Sequence, residues 1–241
     1  MREADQCASD QGEHLLDFGR VALERGAADG VPETPEGTCA PAAQQMLLPL
    51  LERADAVAIG SGLGESAATR AWVRDLLVHL QLPAVVDADA LASLPAPPHA
   101  GPRIVTPHAG ELARWIGKPS PRRASDRLES ALETARNQGV VLLAKGAPSL
   151  VATPDGRLFV NGSGHAGLAT AGSGDVLTGI VAGLLSQGLV PADAAALGAY
   201  LHGLAADVLA RAQSGRSLLA GDLLRGLGLA YRELESDAPT R

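Results

Sequence analysis

Short apolar segments alternate with longer segments of helical periodicity, and this alternation constrains the fold more than any other feature of the chain. The segments at 55–60, 84–89, 103–107 and 140–146 predict buried strands. Strands that alternate with helices are joined by right-handed crossovers, which build a mostly parallel sheet with helices on both faces. The sequence therefore predicts an α/β fold. Its other predicted elements are a hairpin at 149–161 and helices at about 67–80, 108–117, 124–138, 173–187, 191–211 and 217–235.

Length and charge narrow the class of protein. The chain has 241 residues, enough for one α/β domain with an ample core. Its net charge of −7 and the lack of basic runs argue against a nucleic-acid partner. The first residues are polar, no apolar run approaches transmembrane length, and Cys7 and Cys39 lack metal-ligand spacing. We therefore expect a cytoplasmic protein with free thiols and with no membrane partner.

The stretch 161–183, NGSGHAGLATAGSGDVLTGIVAG, passes from a glycine-rich loop into an apolar helix, with Asp175 in the first turn. Backbone N–H groups at such a helix start can converge on an anion, and the helix dipole adds partial positive charge there. A carboxylate beside an anion site would handle a proton or a metal ion. The alternative is that Asp175 only caps the helix and complements its dipole.

Four further loops follow strand ends or lead into helices, at 60–65, 87–91, 106–111 and 145–149. In open α/β sheets, ligands bind outside the carboxyl ends of the strands. These loops and the 161–175 loop are all predicted at that edge of the sheet. Their convergence is the main argument from the residues for an enzyme site.

The glycine loop GSGLG (60–64) does not match the dinucleotide fingerprint G-x-G-x-x-G. A backbone surface for a phosphate or a flat ring is the favoured interpretation, and a tight strand–helix turn is the alternative. Asp87 and Asp89 end a predicted strand, where a carboxylate could hold Mg²⁺ through water or orient a hydroxyl. Capping of the following short helix is the alternative for Asp89.

Two basic side chains stand at the same edge. His108 follows Thr106 and Pro107 at a helix start, where it could donate to a phosphate or a ribose, or could be structural. Lys145 ends an apolar strand, where its ammonium could meet nucleotide phosphates or could simply be solvated. Glu111 is predicted to complete a helix N-terminus. His202 and Asp207, on an Ala/Leu-rich helix, are interpreted as structural.

Five segments occur in order along the chain: AVAIGSGLG, VVDADAL, IVTPHAGELARWIG, VVLLAKGA and GLATAGSGDVLTGIVAGLLSQGL. Together they closely resemble the ADP/ATP-dependent NAD(P)H-hydrate dehydratases, a branch of the ribokinase-like superfamily, from about Val31 to Glu235. The blocks GSGDVLTG and TPHAGEL make the resemblance specific. It implies a three-layer αβα sandwich fold. It also implies an enzyme that repairs hydrated NADH or NADPH (NADHX or NADPHX). A nucleotide would phosphorylate the ring hydroxyl of the S-form, and elimination of phosphate would restore the reduced ring.

The resemblance also assigns roles to residues. Asp175 would be the catalytic base that contacts the substrate hydroxyl. The donor would be ADP or ATP, Mg²⁺ would assist, and the protein would form homo-oligomers, a tetramer among the expected sizes. The implied anion hole is Ala171, Gly172, Ser173 and Gly174. The implied ADP/AMP site is Lys145, Gly146, Ala147, Pro148 and Ser149, with Gly174. The implied NAD(P)HX contacts are Gly62, Gly64, His108 and Asp175.

The chain departs from the family pattern in three places. The usual first β-α-β unit is reduced to a candidate strand at 18–23, so residues 1–30 are interpreted as a poorly defined segment and 31–241 as the ribokinase-like domain, with a shortened N-terminal part. The loop 164–167 is Gly-His-Ala-Gly where Gly-Asn-Pro-Gly is expected. Ser61 replaces a proline, and Ser149 a threonine. Two alternatives remain open: a small-molecule hydroxyl kinase of the same superfamily, and a catalytically impaired nucleotide-binding remnant.

Overall fold

The computed structural model describes residues 15–17, 32, 34, 38, 40–119, 121, 123–212 and 214–237. Their strands form one sheet in which sequence neighbours are also spatial neighbours. The first five strands are parallel, and the last two pair antiparallel as the predicted hairpin. The strands are β1 (Leu15–Asp17), β2 (Ala56–Ile59), β3 (Ala84–Val86), β4 (Arg103–Val105), β5 (Val141–Ala144), β6 (Leu150–Ala152) and β7 (Leu158–Val160).

Helices follow the strands at nearly the predicted positions. One begins at Ser173 and carries the glycine-rich stretch, with Asp175 in its first turn. In the described part of the chain, the helices are α1 (Ala43–Leu51), α2 (Ala67–His79), α3 (Ala109–Ile116), α4 (Ala124–Gln138), α5 (Ser173–Ser186), α6 (Pro191–Ala212) and α7 (Ala220–Asp237). None of these helices has the length and apolar character needed to cross a membrane.

The two large clusters of the core lie on opposite faces of the sheet, and a small third cluster joins α6 to α7. Val57 and Ile59 of β2 pack in the first cluster with side chains of α1 to α4. Ala56 and Ala58 pack in the second cluster with α5, α6 and α7. Successive strand side chains point to opposite faces, so a strand that is apolar at every position is buried on both sides. The three-layer α/β arrangement expected from the sequence is thereby confirmed.

A buried arginine lies at the edge of the sheet where the parallel strands begin, opposite to their carboxyl ends. Arg103 is only 2% exposed, and its guanidinium donates to the carbonyls of Leu77, Leu80 and Leu82. Two of these carbonyls lie at the end of α2, where helices leave acceptors unpaired. Burial lowers the pKa of Arg103 to about 10, so the side chain remains charged at neutral pH. This contact holds the end of α2, which begins just after the GSGLG loop.

Several predicted boundaries were wrong. The strand predicted over 84–89 ends at Val86, and a 3₁₀ helix, Ala88–Ser93, takes its place because Ala88 adopts a left-handed φ of 45° that no strand continues. The last helix begins at Ala220 rather than 217, because a 3₁₀ turn precedes it and Asp222 accepts the N–H of Leu219. The candidate strand at 18–23 lies outside the described residues, as do both cysteines.

Candidate active site

The glycine loop after β2 lies against the end of β3. Gly60 has a φ of 146°, and a side-chain Cβ placed there would come within 1.8 Å of the Asp87 carbonyl oxygen. The loop is held at its other end by Asp89, whose Oδ2 accepts the Gly64 N–H at 2.9 Å. Asp89 therefore positions this loop, a role that neither of the sequence interpretations had given it.

The N-terminus of α5 presents the predicted anion hole. Gly172 takes a left-handed φ of 84° at the position before the helix, which turns the chain from the loop into the first turn. The Ser173 N–H donates to the Thr170 carbonyl at 3.3 Å, and the Ser173 hydroxyl donates to the Leu168 carbonyl at 2.7 Å. The helix start is thus fixed by its own preceding loop.

Asp175 is exposed on this first turn, and it meets the glycine loop. Its Oδ1 accepts a hydrogen bond of 2.5 Å from the hydroxyl of Ser61, which lies between Gly60 and Gly62. The two residues are 114 positions apart in the sequence. The structure therefore brings the two glycine-rich segments, both predicted at this edge, into direct contact through a serine and a carboxylate.

His202 contacts the same turn of α5 from a neighbouring helix. It is buried on α6, and its Nε2 lies 2.9 Å from the Ser173 carbonyl oxygen. Burial is the main cause that lowers the pKa of His202 to about 4; the bond to Ser173 opposes this shift and the positive charge of Lys145 adds to it. The ring is therefore neutral at pH 7 and donates Nε2–H to the carbonyl. The structural role expected for His202 is here to hold the first turn of α5, the predicted anion hole, in place.

This burial gives a testable pH dependence. Unfolding exposes His202 and restores a pKa near 6.5, so between about pH 6.5 and pH 4 the unfolded chain binds one more proton than the folded chain. Stability should therefore fall as the pH falls through this window, by about 3 kcal/mol in total from this residue. We expect His202→Gln, whose amide can still donate to Ser173, to remove that part of the slope. Urea unfolding of both proteins at several pH values measures it, and parallel slopes would contradict the assignment.

A partly buried ion pair lies beside the predicted anion hole. The Lys145 ammonium lies 3.0 Å from Asp87 Oδ1 and 3.7 Å from Glu111 Oε2. Thr178 on α5 donates to the other Asp87 oxygen at 3.0 Å. Asp87 is only 1% exposed, and each of its oxygens accepts one of these hydrogen bonds. A Cβ at Gly174 would lie 3.3 Å from the Lys145 ammonium, which places this charge against the first turn of α5.

His108 caps α3. Its Nδ1 accepts the N–H groups of Gly110 and Glu111 at 3.0 and 3.2 Å, and the Glu111 carboxylate accepts the His108 N–H at 2.7 Å. This capping box satisfies three N–H groups at the helix start. The other ring nitrogen, Nε2, lies 3.3 Å from Glu111 Oε1 on a side chain that is 55% exposed. His108 is therefore fixed as the cap, with Nε2 beside Glu111 and the ring partly exposed.

The predicted nucleotide loop follows β5. Gly146, Ala147 and Pro148 are exposed, and the Ser149 hydroxyl bonds to both the N–H and the carbonyl of Gly146. Arg127 on α4 donates to the Pro148 carbonyl at 2.9 Å, so a second cation stands at this loop. The sequence had given no sign of Arg127, because it lies in the first turn of an amphipathic helix and belongs to no motif.

The altered loop before the anion hole is also held by α6. Asp207 accepts the Gly164 N–H at 2.8 Å, and Ser163 donates to the Tyr200 carbonyl at 2.8 Å. His165 accepts the Gly167 N–H at 3.0 Å through Nδ1. The Gly-His-Ala-Gly sequence thus forms an ordered turn through a histidine cap.

The chain matches a known protein family over most of its length. Residues 21–227 match the family of NAD(P)H-hydrate dehydratases, and this match covers most of the chain. The chain belongs to the NAD(P)H-hydrate dehydratase family. The bifunctional NAD(P)H-hydrate repair enzyme Nnr of Moorella thermoacetica is 49% identical over 215 residues, which are 87% of this chain and 41% of that protein. An ADP-dependent (S)-NAD(P)H-hydrate dehydratase of Bacillus subtilis is 36% identical over 180 residues, 75% of this chain and 65% of that protein.

A solved member of the dehydratase family has the same fold. The crystal structure of the ADP/ATP-dependent NAD(P)H-hydrate dehydratase from Bacillus subtilis, co-crystallized with ATP/Mg²⁺ and soaked with CoA, superposes with a TM-score of 0.70. It is 31% identical and covers 81% of this chain and 79% of that chain. The chain spans only about two fifths of the Moorella enzyme and of a second bifunctional relative, from Thermofilum pendens.

The predicted site residues of this dehydratase-family chain fall into one region. Asp175, the 171–174 turn and the Lys145 side chain are joined through α5, and Asp175 contacts the 60–64 loop through Ser61. Sequence reasoning did not identify the contacts that fix this arrangement, which are made by Ser61, His202, Thr178, Asp207 and Arg127. Among the described residues, no group of three or more His, Cys, Asp and Glu side chains could hold a metal ion.

Proposed function

We propose that this chain dehydrates the S-form of hydrated NADH or NADPH, with ADP or ATP as the phosphoryl donor. The observation that carries this proposal is an exposed carboxylate, Asp175, on the first turn of α5, with the Lys145 ammonium against the same turn. Phosphoryl transfer needs little covalent chemistry from a protein, and catalysis is mostly positioning and charge stabilisation. A base, an anion site and a cation at one helix end, in a chain of the dehydratase family, fit that requirement.

Each part of the site has a proposed role. Asp175 accepts the proton of the substrate hydroxyl as its bond to phosphorus forms. Apart from that of Ser173, which donates to the Thr170 carbonyl, the N–H groups of 171–174 stabilise the transferred phosphoryl group together with the dipole of α5. The 145–149 loop binds the phosphates and the nucleotide. Gly62, Gly64 and the exposed edge of His108 bind the hydrated nicotinamide nucleotide.

Magnesium is proposed to accompany the nucleotide. Mg²⁺ usually keeps several waters and binds through one or two carboxylates together with substrate phosphates. Asp87 is 1% exposed and the Lys145 ammonium lies 3.0 Å from one of its oxygens, so any contact with the ion is proposed to run through water. Nucleotide phosphates would therefore supply most of the ligands, and Asp87 would act by holding Lys145 in place.

The proposal extends to the domain bounds, the cellular location and the assembly of the protein. We infer that residues 31–241 form the catalytic domain together with β1, which pairs with β2, that the protein is cytoplasmic, and that it assembles into homo-oligomers. Membership of the dehydratase family favours this activity over a small-molecule kinase, which would share the anion hole. A catalytically impaired nucleotide-binding protein remains the competing function, and turnover distinguishes the two.

The deciding experiment is to incubate the protein with chemically prepared NADHX, Mg²⁺ and either ADP or ATP. We expect the near-ultraviolet absorbance of reduced nicotinamide to return with a nucleotide present and not without it, and the effective nucleotide to identify the donor. Folded protein, checked by circular dichroism, that shifts its melting temperature with ADP but restores no absorbance would contradict the proposal and support the impaired binder.

A further inference from the structure

Ser61 occupies an unusual position for a serine that the proposed reaction does not use. Its hydroxyl donates to Asp175 Oδ1 at 2.5 Å, although Asp175 is the proposed base for the substrate hydroxyl. A hydroxyl in hydrogen-bond contact with a base is the arrangement of an activated nucleophile. The backbone holds it there, because Gly60 and Gly62 on either side take φ values of 146° and 69°.

Other hydroxyl groups near the first turn of α5 donate to acceptors other than Asp175. Ser173 donates to the Leu168 carbonyl, Thr178 to the Asp87 carboxylate, and Ser163 to the Tyr200 carbonyl. Their protons are committed to acceptors that take no part in phosphoryl transfer. Ser61 differs because its acceptor is the carboxylate that is proposed to remove a proton from the reacting hydroxyl.

We propose that Ser61 is a second phosphoryl acceptor, and that the enzyme phosphorylates itself there when no substrate is bound. This inference rests on the proposed function, since it uses the same base, anion hole and donor. In the free protein, the Ser61 hydroxyl lies against Asp175 in the position that the substrate hydroxyl must take. Substrate binding displaces it, and an empty site leaves it facing the donor.

The chemical step balances without any further reactant. The Ser61 oxygen forms a bond to the terminal phosphorus of the nucleotide, and the bond from that phosphorus to its bridging oxygen breaks. The electron pair leaves with AMP when the donor is ADP, and with ADP when the donor is ATP. The Ser61 proton passes to Asp175, and the products are phosphoserine and the shortened nucleotide.

The modification would inactivate the enzyme. Phosphoserine carries nearly two negative charges at neutral pH, and here they would face the Asp175 carboxylate. The phosphate would also fill the place of the substrate hydroxyl. Substrate should therefore protect the enzyme, because NADHX and Ser61 compete for one carboxylate.

The test is intact-mass spectrometry of the full chain after incubation with Mg²⁺ and ADP or ATP, without NADHX, followed by peptide mapping. We expect a time-dependent gain of one phosphoryl group on Ser61, together with loss of NADHX turnover. Ser61→Ala and Asp175→Asn should both lose the adduct. Ser125→Ala, at an exposed serine on α4, is the matched control and should keep it. Added NADHX should suppress the adduct in the wild type.

The outcomes separate this inference from the proposed function. Wild-type protein that dehydrates NADHX but gains no phosphoryl group overturns the inference and leaves the function intact. An adduct on a residue other than Ser61 also overturns it. Protein that shows neither turnover nor adduct overturns both. An adduct on Ser61 that persists in Asp175→Asn removes Asp175 as its base and overturns the inference as stated.

Discussion

Asp175→Asn is expected to lower the turnover of NADHX by about 10²–10⁴-fold, the usual contribution of a positioned base. The amide has nearly the same shape as the carboxylate and can still accept the Ser61 hydrogen bond, but it cannot take a proton. Nucleotide affinity should stay within a few-fold of the wild type, because the 171–174 turn and Lys145 are unchanged. Single-turnover kinetics and calorimetric titration with ADP measure the two quantities.

The matched control for this variant is Asp193→Asn. Asp193 is also an exposed aspartate in a first helical turn, that of α6, and it lies outside the proposed site. Like Asp175, Asp193 has a carboxylate that interacts favourably with a helix dipole. The Asp193→Asn variant therefore shows how much of any loss comes from that interaction alone. Wild-type turnover in Asp175→Asn would remove Asp175 from the mechanism and leave helix capping as its role.

Gly60→Ala is expected to destabilise the fold by about 4 kcal/mol. Placing another residue in a backbone conformation that favours glycine costs of order 1–3 kcal/mol of strain energy. Overpacking adds about 1–3 kcal/mol, since the new methyl would overlap the Asp87 carbonyl oxygen, which a strand end holds rigidly. Urea unfolding at pH 7 measures the change, and the loss is a large part of a typical domain's stability.

The control for the glycine prediction is Gly228→Ala on α7. A Cβ at Gly228 would meet nothing within 4 Å, and the position is exposed inside a helix. Alanine should stabilise the protein there by about 0.5–1 kcal/mol, the usual helix preference over glycine. If Gly60→Ala were as well tolerated as Gly228→Ala, the close approach of the GSGLG loop to β3 would be wrong.

The local pattern was sufficient for most of the fold. The four apolar segments became β2 to β5, and the predicted helix at 124–138 has the observed bounds of α4. Burial on both faces makes a parallel strand continuously apolar, and such a signal is contained within a few residues. The boundaries that failed, at Asp87 and Ala220, depend on single backbone turns that hydrophobic periodicity does not encode.

The candidate site residues could also be named from the sequence, because their motifs are local. Asp175 follows its glycines directly, and His108 and Glu111 show capping-box spacing within one turn. The loops after parallel strands must share one edge of the sheet, so their convergence needed no coordinates. The assignment of particular residues to nucleotide or substrate came from the family resemblance and remains a prediction.

The sequence by itself determined the layers of this protein, the edge at which its site lies and the residue types gathered there. Only the tertiary structure decided which of those residues touch. The bond from Ser61 to Asp175 joins positions 114 apart, and His202 reaches Ser173 from a different helix. Such contacts depend on how α5 and α6 pack on the sheet, and burial then sets the charge of His202. Neither packing nor burial is encoded in a short stretch of sequence, because both arise from the assembled layers.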